Sequence, residues 1–234
     1  MKIGIIGYKG FIGSAIFSEL QLNSSLEVVG ISRGVKPDID FDIVVNANGN
    51  PYRWLANKEP RQDFDMSVVS VVDSLFELRY KKYIYISSVD VYADNIYGFH
   101  KSVSEQCIQR YASSYVLLRC SAVIGTGMRK GIIYDIINDE KLWLTPDSYL
   151  QFITNTEVAK IVTYITKHDI KNKIYNVGGL GPVRIGDLEE VTNKEFTYNE
   201  GAHRETYYYE PVELSKIYKL KESIDYVREV VRGS

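Results

Sequence analysis

Nowhere does this sequence hold an apolar run approaching the ~20 residues that span a bilayer, so no membrane-crossing helix is expected. Cysteine is scarce. Cys107 and Cys120 form neither a metal-ligand nor a redox spacing, so no metal site is expected, and they read as buried thiols in a reducing compartment. Clustered basic residues are also missing: 28 Lys and Arg stand against 30 Asp and Glu, and the net charge of −2 gives no electrostatic footprint for nucleic acid. There are no repeats, low-complexity tracts or obvious interdomain linkers. The chain opens directly into Met1-Lys2-Ile3, leaving no room for a signal peptide, so a cytoplasmic soluble protein is expected. What is present is ordinary globular composition, 45% hydrophobic and 25% charged over 234 residues, enough for one sizeable α/β domain and a small appendage.

Lys2 to Ile6 is a short β-branched run, and Gly7-Tyr8-Lys9-Gly10-Phe11-Ile12-Gly13 then opens a helix running through Leu22. Strand, glycine turn and helix are the context a dinucleotide fingerprint requires, although the spacing is G-x-x-G-x-x-G. Gly7 permits a tight turn, Gly10 lets backbone approach a pyrophosphate, and Gly13 allows close helix–strand packing. The helix N-terminus offers N–H groups and positive dipole to phosphates. A glycine turn without cofactor is the alternative. The next strand, Leu26 to Ile31, ends in Ser32-Arg33, where an arginine suits a 2′-phosphate and an acid would suit an NAD ribose. That favours NADP(H), with NAD possible. A third strand, Asp42 to Val45, ends in Asn46-Ala47-Asn48, small and amide side chains suited to a ligand crevice or simply to a turn.

Pro51 to Pro60 reads as irregular, with Trp54 packing the loop. Arg61 to Tyr80 reads as one long, largely buried helix carrying Val68, Val71, Val72, Leu75, Phe76 and Leu78. The centre of the chain follows. Lys81 to Ile86 is a strand leading into Ser87-Ser88-Val89-Asp90-Val91-Tyr92, and Tyr97 to Tyr111 is a helix. Tyr97 and Lys101, four residues apart, share one helical face, and a strand-end hydroxyl can be brought opposite them. An ammonium beside a phenol favours the phenolate, which would bring the tyrosine proton, ordinarily held to a pKa of ~10, toward neutral exchange. With 19 tyrosines in the chain, this spacing alone is also compatible with a surface helix.

Later elements are a strand at Tyr115 to Arg119, a helix at Lys130 to Asn138, extended pieces at Leu142 to Leu144 and Tyr149 to Thr154, a helix at Thr156 to Lys167 and a strand at Lys173 to Val177. The tail holds a short helix near Ile185 to Val191, extended pieces around Tyr198 and Tyr208, and helices from Glu213 and Ser223. Alternating strands and helices predict an α/β, Rossmann-like, doubly wound parallel sheet. The expected division is residues 1–178 as an NADP-binding domain and 179–234 as a small C-terminal substrate-binding part, with contributions from 121–150.

Several separated motifs, in order, resemble the extended short-chain dehydrogenase/reductase family of nucleotide-sugar epimerases, dehydratases and reductases. Gly7 to Gly13 resembles its glycine turn. Ser88-Val89-Asp90-Val91-Tyr92 resembles its catalytic Ser/Thr followed by x-x-Val-Tyr, which selects Ser88 over Ser87. Tyr97 through Glu105 resembles its Tyr-Gly-x-x-Lys-x-x-x-Glu helix. Leu118-Arg119 to Gly125, Phe152 to Ala159 and Ile174 to Gly178 resemble later segments. The resemblance implies hydride transfer to or from a sugar carbon, with Ser88, Tyr97 and Lys101 catalytic and Ser88 and Tyr97 at the substrate; Asp90 is a further candidate acid at the substrate, or a loop carboxylate capping a turn. It also implies a cofactor held by residues 7 to 13, Ser32, Arg33, Asn46, Ala47, Asn48, Tyr97, Lys101, Ala122 and Val123.

The departures shape the expectation. Ser32 to Asp42 is too short for the usual helix, Tyr97 follows Ser88 by only nine positions, Ser67 and Ala122 stand where asparagines are usual, and the tail is small. Val89 lacks the acid that a Thr-Asp-Glu dehydratase uses. Arg33, Asn46-Ala47 and the compact tail are most similar to nucleotide-sugar 4-keto reductases of the dTDP-4-dehydrorhamnose reductase type. The expected activity is therefore NADP(H)-dependent reduction of a nucleotide-sugar keto group. Alternatives are an NAD-dependent nucleotide-sugar epimerase and, in another class, a non-catalytic NADP-binding regulatory protein. A homodimer through the Arg61–Tyr80 and Tyr97 helices is expected from the resemblance.

Overall fold

The computed structural model describes residues 1–50 and 52–233; Pro51, where the irregular stretch was expected to start, lies outside them. The chain forms two compact units, Met1–Arg119 with Val158–Tyr175, and Cys120–Glu157 with Asn176–Ser234. Cys120–Glu157 groups with the tail.

The first unit is built on a six-stranded sheet. In chain order its strands are β1 (Lys2–Ile6), β2 (Glu27–Ile31), β3 (Asp40–Asn46), β4 (Arg79–Ser88), β5 (Tyr115–Cys120) and, after four short strands of the second unit (β6 to β9), β10 (Lys173–Val177). Their spatial order is β10-β5-β4-β3-β1-β2, with β1 parallel to both β2 and β3, and β3 parallel to β4. This is the Rossmann-like doubly wound arrangement the sequence predicts. The order reverses at β1/β3, the switch point where open parallel sheets receive ligands. Helix α1 (Phe11–Gln21) follows β1, and no helix fills residues 32–39 after β2, as the short spacing requires. A core of Phe41, Val44, Val71, Leu75, Tyr83, Tyr85, Ile108 and Leu117 joins sheet to helices.

Residues 53 to 80 fold differently from the sequence expectation. Arg53–Lys58 is a helix (α2), and Trp54, 58% exposed, lies on its outside with its ring against that of Tyr52 at 5.7 Å. The expected long helix is continuous from Pro60 to Glu77, as α3 (Pro60–Phe64), a π-helical turn over Asp65–Val69, and α4 (Ser70–Glu77). It ends early because β3 recruits the next residues as strand, pairing Asp40 with Arg79 and Phe41 with Tyr80. The Arg79 guanidinium then bonds Asp38 and Asp40. Phe76 points outward, 65% exposed. Tertiary pairing here overrides a helical apolar pattern. Helix α5 (Ile96–Tyr111) completes the layer that carries the candidate site.

In the second unit, β6 (Ala122–Ile124) pairs with β9 (Phe152–Thr154), and β8 (Tyr149–Leu150) pairs with β11 (Val183–Arg184) and β13 (Thr206–Tyr207). The single strand expected over 149–154 is thus two, divided at Gln151, whose amide donates to the Gly179 carbonyl at 2.7 Å. β7 (Leu142–Leu144) pairs with β12 (Tyr198–His203). Ile124, Ile133, Ile136, Leu150, Phe152, Ile185, Leu188 and Val227 form its core. Among the described residues no helix is long and apolar enough to cross a membrane. Cys120 is buried, whereas Cys107 is only half-buried.

Gly13 carries the tightest requirement in the first turn. A Cβ there would enter the Gly7 carbonyl oxygen, and backbone cannot yield as a side-chain tip can. Gly13→Ala should cost about 1–3 kcal/mol, read as a melting temperature lowered by several degrees.

Candidate active site

Two devices fix the start of α5. Asn95 caps it, its Oδ1 accepting from Gly98 N at 2.7 Å. Gly98 lies directly on the Asp90 carbonyl oxygen, where any Cβ would collide. Helix α5 can therefore sit against the 3₁₀ turn Val89–Tyr92 that follows β4, and this closes the short connection from Ser88 to Tyr97. The adjacent serines divide their work. Ser87 is buried and donates to Glu105 Oε1 at 2.6 Å. Ser88 is half-buried, donates to Asp90 Oδ2 at 2.9 Å and accepts from Asp90 N at 3.1 Å.

Lys101 is buried on α5 with its Nζ 5.9 Å from the Tyr97 ring centroid, so tyrosine and lysine do share one face. The ammonium donates to Tyr85 Oη at 3.1 Å and to the Ile86 carbonyl at 3.4 Å. Gly49 leaves the space for it: a Cβ there would be 3.1 Å from Nζ. Burial works against this charge, but the neighbouring Tyr85 and Tyr97 oxygens outweigh burial and hold the lysine above its ordinary pKa. Tyr97 behaves differently from the sequence expectation. Burial pushes its phenol above the ordinary value and outweighs the Lys101 field, while Asp90, Tyr85 and Asp63 add in the same upward direction. Tyr97 is thus a protonated acid at neutral pH, not a group approaching ionisation.

The glycine turn has the shape a pyrophosphate needs. Gly7 has φ +79°, and a Cβ on it would lie 2.9 Å from the Ala47 carbonyl and Asn48 N, so β1 and β3 meet backbone to backbone at the switch point. Gly10 precedes α1 with no side chain capping the first helical N–H groups. Lys9 and Gly10 are exposed, and Phe11 and Ile12 are half-buried. Tyr8 lies across Gly30 of β2, where a Cβ would be 2.7 Å from its ring. A hydrogen bond with Ser32 draws the Tyr8 phenol below its usual pKa. Ser32 and Arg33 are exposed just after β2. Asn46 is fully buried, donating to Tyr83 Oη at 2.7 Å and accepting from Asn48 N at 2.9 Å, so its amide braces the loop from within. Asn48 donates to Ser70 Oγ at 3.4 Å. Ala122 and Val123 lie on β6 of the second unit.

The profile of the NAD dependent epimerase/dehydratase family matches residues 3–178. The chain belongs to that family. No curated protein matches it in sequence. Among solved structures, UDP-glucuronic acid 4-epimerase from Bacillus cereus, in complex with UDP-glucuronic acid and NAD, aligns with TM-score 0.81 at 18% identity, over 100% of this chain and 99% of that one. UDP-N-acetylglucosamine 4-epimerase from Methanobrevibacter ruminantium M1 aligns with TM-score 0.79 at 18% identity, over 99% and 97%. RMD from Pseudomonas aeruginosa, complexed with NADPH, aligns with TM-score 0.80 at 16% identity, over 99% and 97%. At these identities the likeness establishes the fold.

For a member of the epimerase/dehydratase family, several supporting residues escaped the sequence reading. Tyr85 was read only as a strand former. Arg53 sits in a stretch read as irregular. Asp63, fully buried, accepts from Asn50 Nδ2 at 2.7 Å on one oxygen and meets His100 Nδ1 at 2.5 Å on the other. A lone Asp, Asn or His has no period or motif; Asn95 before a helix was the one local signal available. Glu105 was legible as part of the helix motif, and its role is now explicit: Arg119 Nε lies 3.0 and 3.1 Å from its two oxygens, and Arg119 Nη1 donates to Tyr92 Oη at 2.7 Å. Arg119→Met would leave Glu105, 1% exposed, without its counter-charge. The expected loss is about 3–5 kcal/mol in chemical denaturation, with Glu105 and Arg119 strongly non-additive in a double-mutant cycle.

Proposed function

We propose that this family member is an NADP(H)-dependent oxidoreductase that reduces a keto group of a nucleotide-activated sugar. The observation that carries the reading is the half-buried Tyr97 phenol on the helical face it shares with the buried Lys101 ammonium, whose Nζ lies 5.9 Å from the Tyr97 ring centroid. Such a phenol can give its proton to an alkoxide forming on the sugar, and positioned proton transfer of this kind contributes ~10²–10⁴-fold. Ser88 would hydrogen-bond the reacting oxygen, with Asp90 beside it at the substrate. Lys101 would hold ribose hydroxyls and keep the region positive.

The cradle made by Gly7, Gly10 and Gly13 is one that side chains would fill, which fits a dinucleotide. Residues 7–13 would take the pyrophosphate, Ser32 and Arg33 a 2′-phosphate, and the backbone around Asn46, Ala47 and Asn48, with Ala122 and Val123, the rest of the cofactor. A bound nicotinamide supplies or accepts the hydride at the sugar carbon. Residues 1–178 would serve the cofactor and 179–234, with 121–150, the sugar.

A second reading, 4-epimerisation with tightly held NAD, is favoured by the two structural neighbours that are 4-epimerases. It would use Tyr97 first as base and then as acid at the same sugar carbon. A homodimer accords with the outward Phe76 and Tyr111, whose rings lie 5.0 Å apart on α4 and α5, and the cytoplasm is the proposed compartment.

The decisive measurement is NADPH absorbance with a panel of 4-keto nucleotide sugars, paired with NAD-supplemented epimerisation assays. Turnover of a keto sugar is expected, with Tyr97→Phe lower by ~10²–10⁴-fold and NADPH binding unchanged. Epimerisation alone would replace the first reading by the second, and no turnover in either assay would leave a cofactor-binding protein. Arg33→Ser should raise KM for NADPH and leave NADH unaffected. In sedimentation the wild type should be a dimer, with Phe76→Glu shifting it toward monomer.

A further inference from the structure

We propose that Arg53 is a positioning residue for Ser88, acting through Asp90; the proposal rests on the functional reading above. Arg53 opens α2, and its Nη1 lies 3.0 Å from Asp90 Oδ1. The other carboxylate oxygen accepts a hydrogen bond from the Ser88 hydroxyl at 2.9 Å, and the Asp90 N–H donates back to Ser88 Oγ at 3.1 Å. Asn95 Nδ2, at 3.4 Å from Oδ1, is a weaker contact on the Arg53 side. A serine hydroxyl has one proton to give. Here that proton points at Asp90, so the carboxylate sets how Ser88 is turned and Arg53 sets the carboxylate. The Asp90 side chain is 8% exposed and Arg53 46%, a charge-assisted bond shielded on its carboxylate side.

The placement of Arg53 is built into the fold. Asn50, at the end of the β3 loop, accepts from Tyr52 N and donates to Tyr52 O, both at 2.7 Å, which fixes the approach to α2. The same Asn50 donates to Asp63, and Asp63 meets His100 on α5, next to Lys101. Thus the segment that delivers Arg53 to Ser88 is tied by a fully buried carboxylate to the helix bearing Tyr97 and Lys101.

To donate to a substrate carbonyl, Ser88 must turn its proton away from Asp90. With Arg53 in place the carboxylate shares its charge with a guanidinium and is the weaker competitor. Without Arg53 the carboxylate alone holds the serine proton, and the serine is withheld from the reaction.

The test is a cycle of Arg53→Met, Ser88→Ala and the double variant, with Arg53→Lys as the conservative control. Arg53→Met should lower kcat about 10–100-fold with KM for NADPH unchanged. In the Ser88→Ala background the same change should alter residual kcat by less than about twofold, since nothing remains to position, and Arg53→Lys should recover most of the loss. Thermal melts of the same four proteins are read in parallel and should be non-additive for Arg53→Met and Ser88→Ala. Equal kcat losses in both backgrounds, or additive melts, overturn the proposal. Should wild type turn over no sugar, the functional reading fails, and the melting cycle still decides whether Arg53 and Ser88 are coupled.

Discussion

A carboxylate buried as deeply as Glu105 must be met by charge and hydrogen bonds, because the cost of leaving it unpaired exceeds what most single contacts contribute. It is met by Ser87 at the end of β4 and by Arg119 of β5. Since Glu105 follows Lys101 by one helical turn and Ser87 precedes Ser88, this one group sets the register of α5 against the strand that delivers the serine. The positions of Tyr97 and Lys101 follow from that register. So does the assignment of the two serines, one consumed by the scaffold and one left at the end of the strand.

Closing the short path from Ser88 to Tyr97 then depends on absence of bulk. Gly98 allows the first turn of α5 to rest on the Asp90 backbone, and Asn95 caps the helix immediately before it. The eight-residue connection is therefore a single 3₁₀ turn and a cap, with no room for a wandering loop. The same closeness has an electrostatic consequence. Packing that brings Tyr97 toward Lys101 also removes it from water, and for this phenol desolvation wins over the cation. The lysine keeps its proton because two tyrosine oxygens face it, Tyr85 from below and Tyr97 from its own helix.

At the same carboxyl edge of the sheet, the reversal of strand order between β1 and β3 creates a crevice only if backbone can meet backbone there. Gly7 against Ala47 and Asn48 satisfies this, and Gly13 keeps α1 close enough for its N-terminal N–H groups to face the same space. Asn46 supports the arrangement from inside, held by Tyr83, whose hydroxyl also meets Ser74 Oγ at 2.5 Å. Asn46, Asp63, Ser87 and Glu105, all buried around the candidate site, are each met by a side chain from a different element.

The strand–glycine–helix opening, the absence of a helix after β2, the helix from Tyr97 and its lysine were all legible in the amino-acid order, because each rests on local chemistry: a turn only glycine tolerates, a chain too short to form a helix, a four-residue period. What lay beyond it was decided by partners distant in sequence. The apolar pattern of residues 61–80 read as one helix, yet β3 claimed Arg79 and Tyr80 through pairing that no window of neighbours contains. Arg53, Asp63 and His100 carry no pattern of their own, and only folding joins Asn50 to Asp63 across thirteen positions and His100 to Asp63 across thirty-seven. The sign of the Tyr97 shift belonged to the tertiary structure as well. A sequence can state that a charge is nearby, whereas how much water has been taken away depends on everything packed around it.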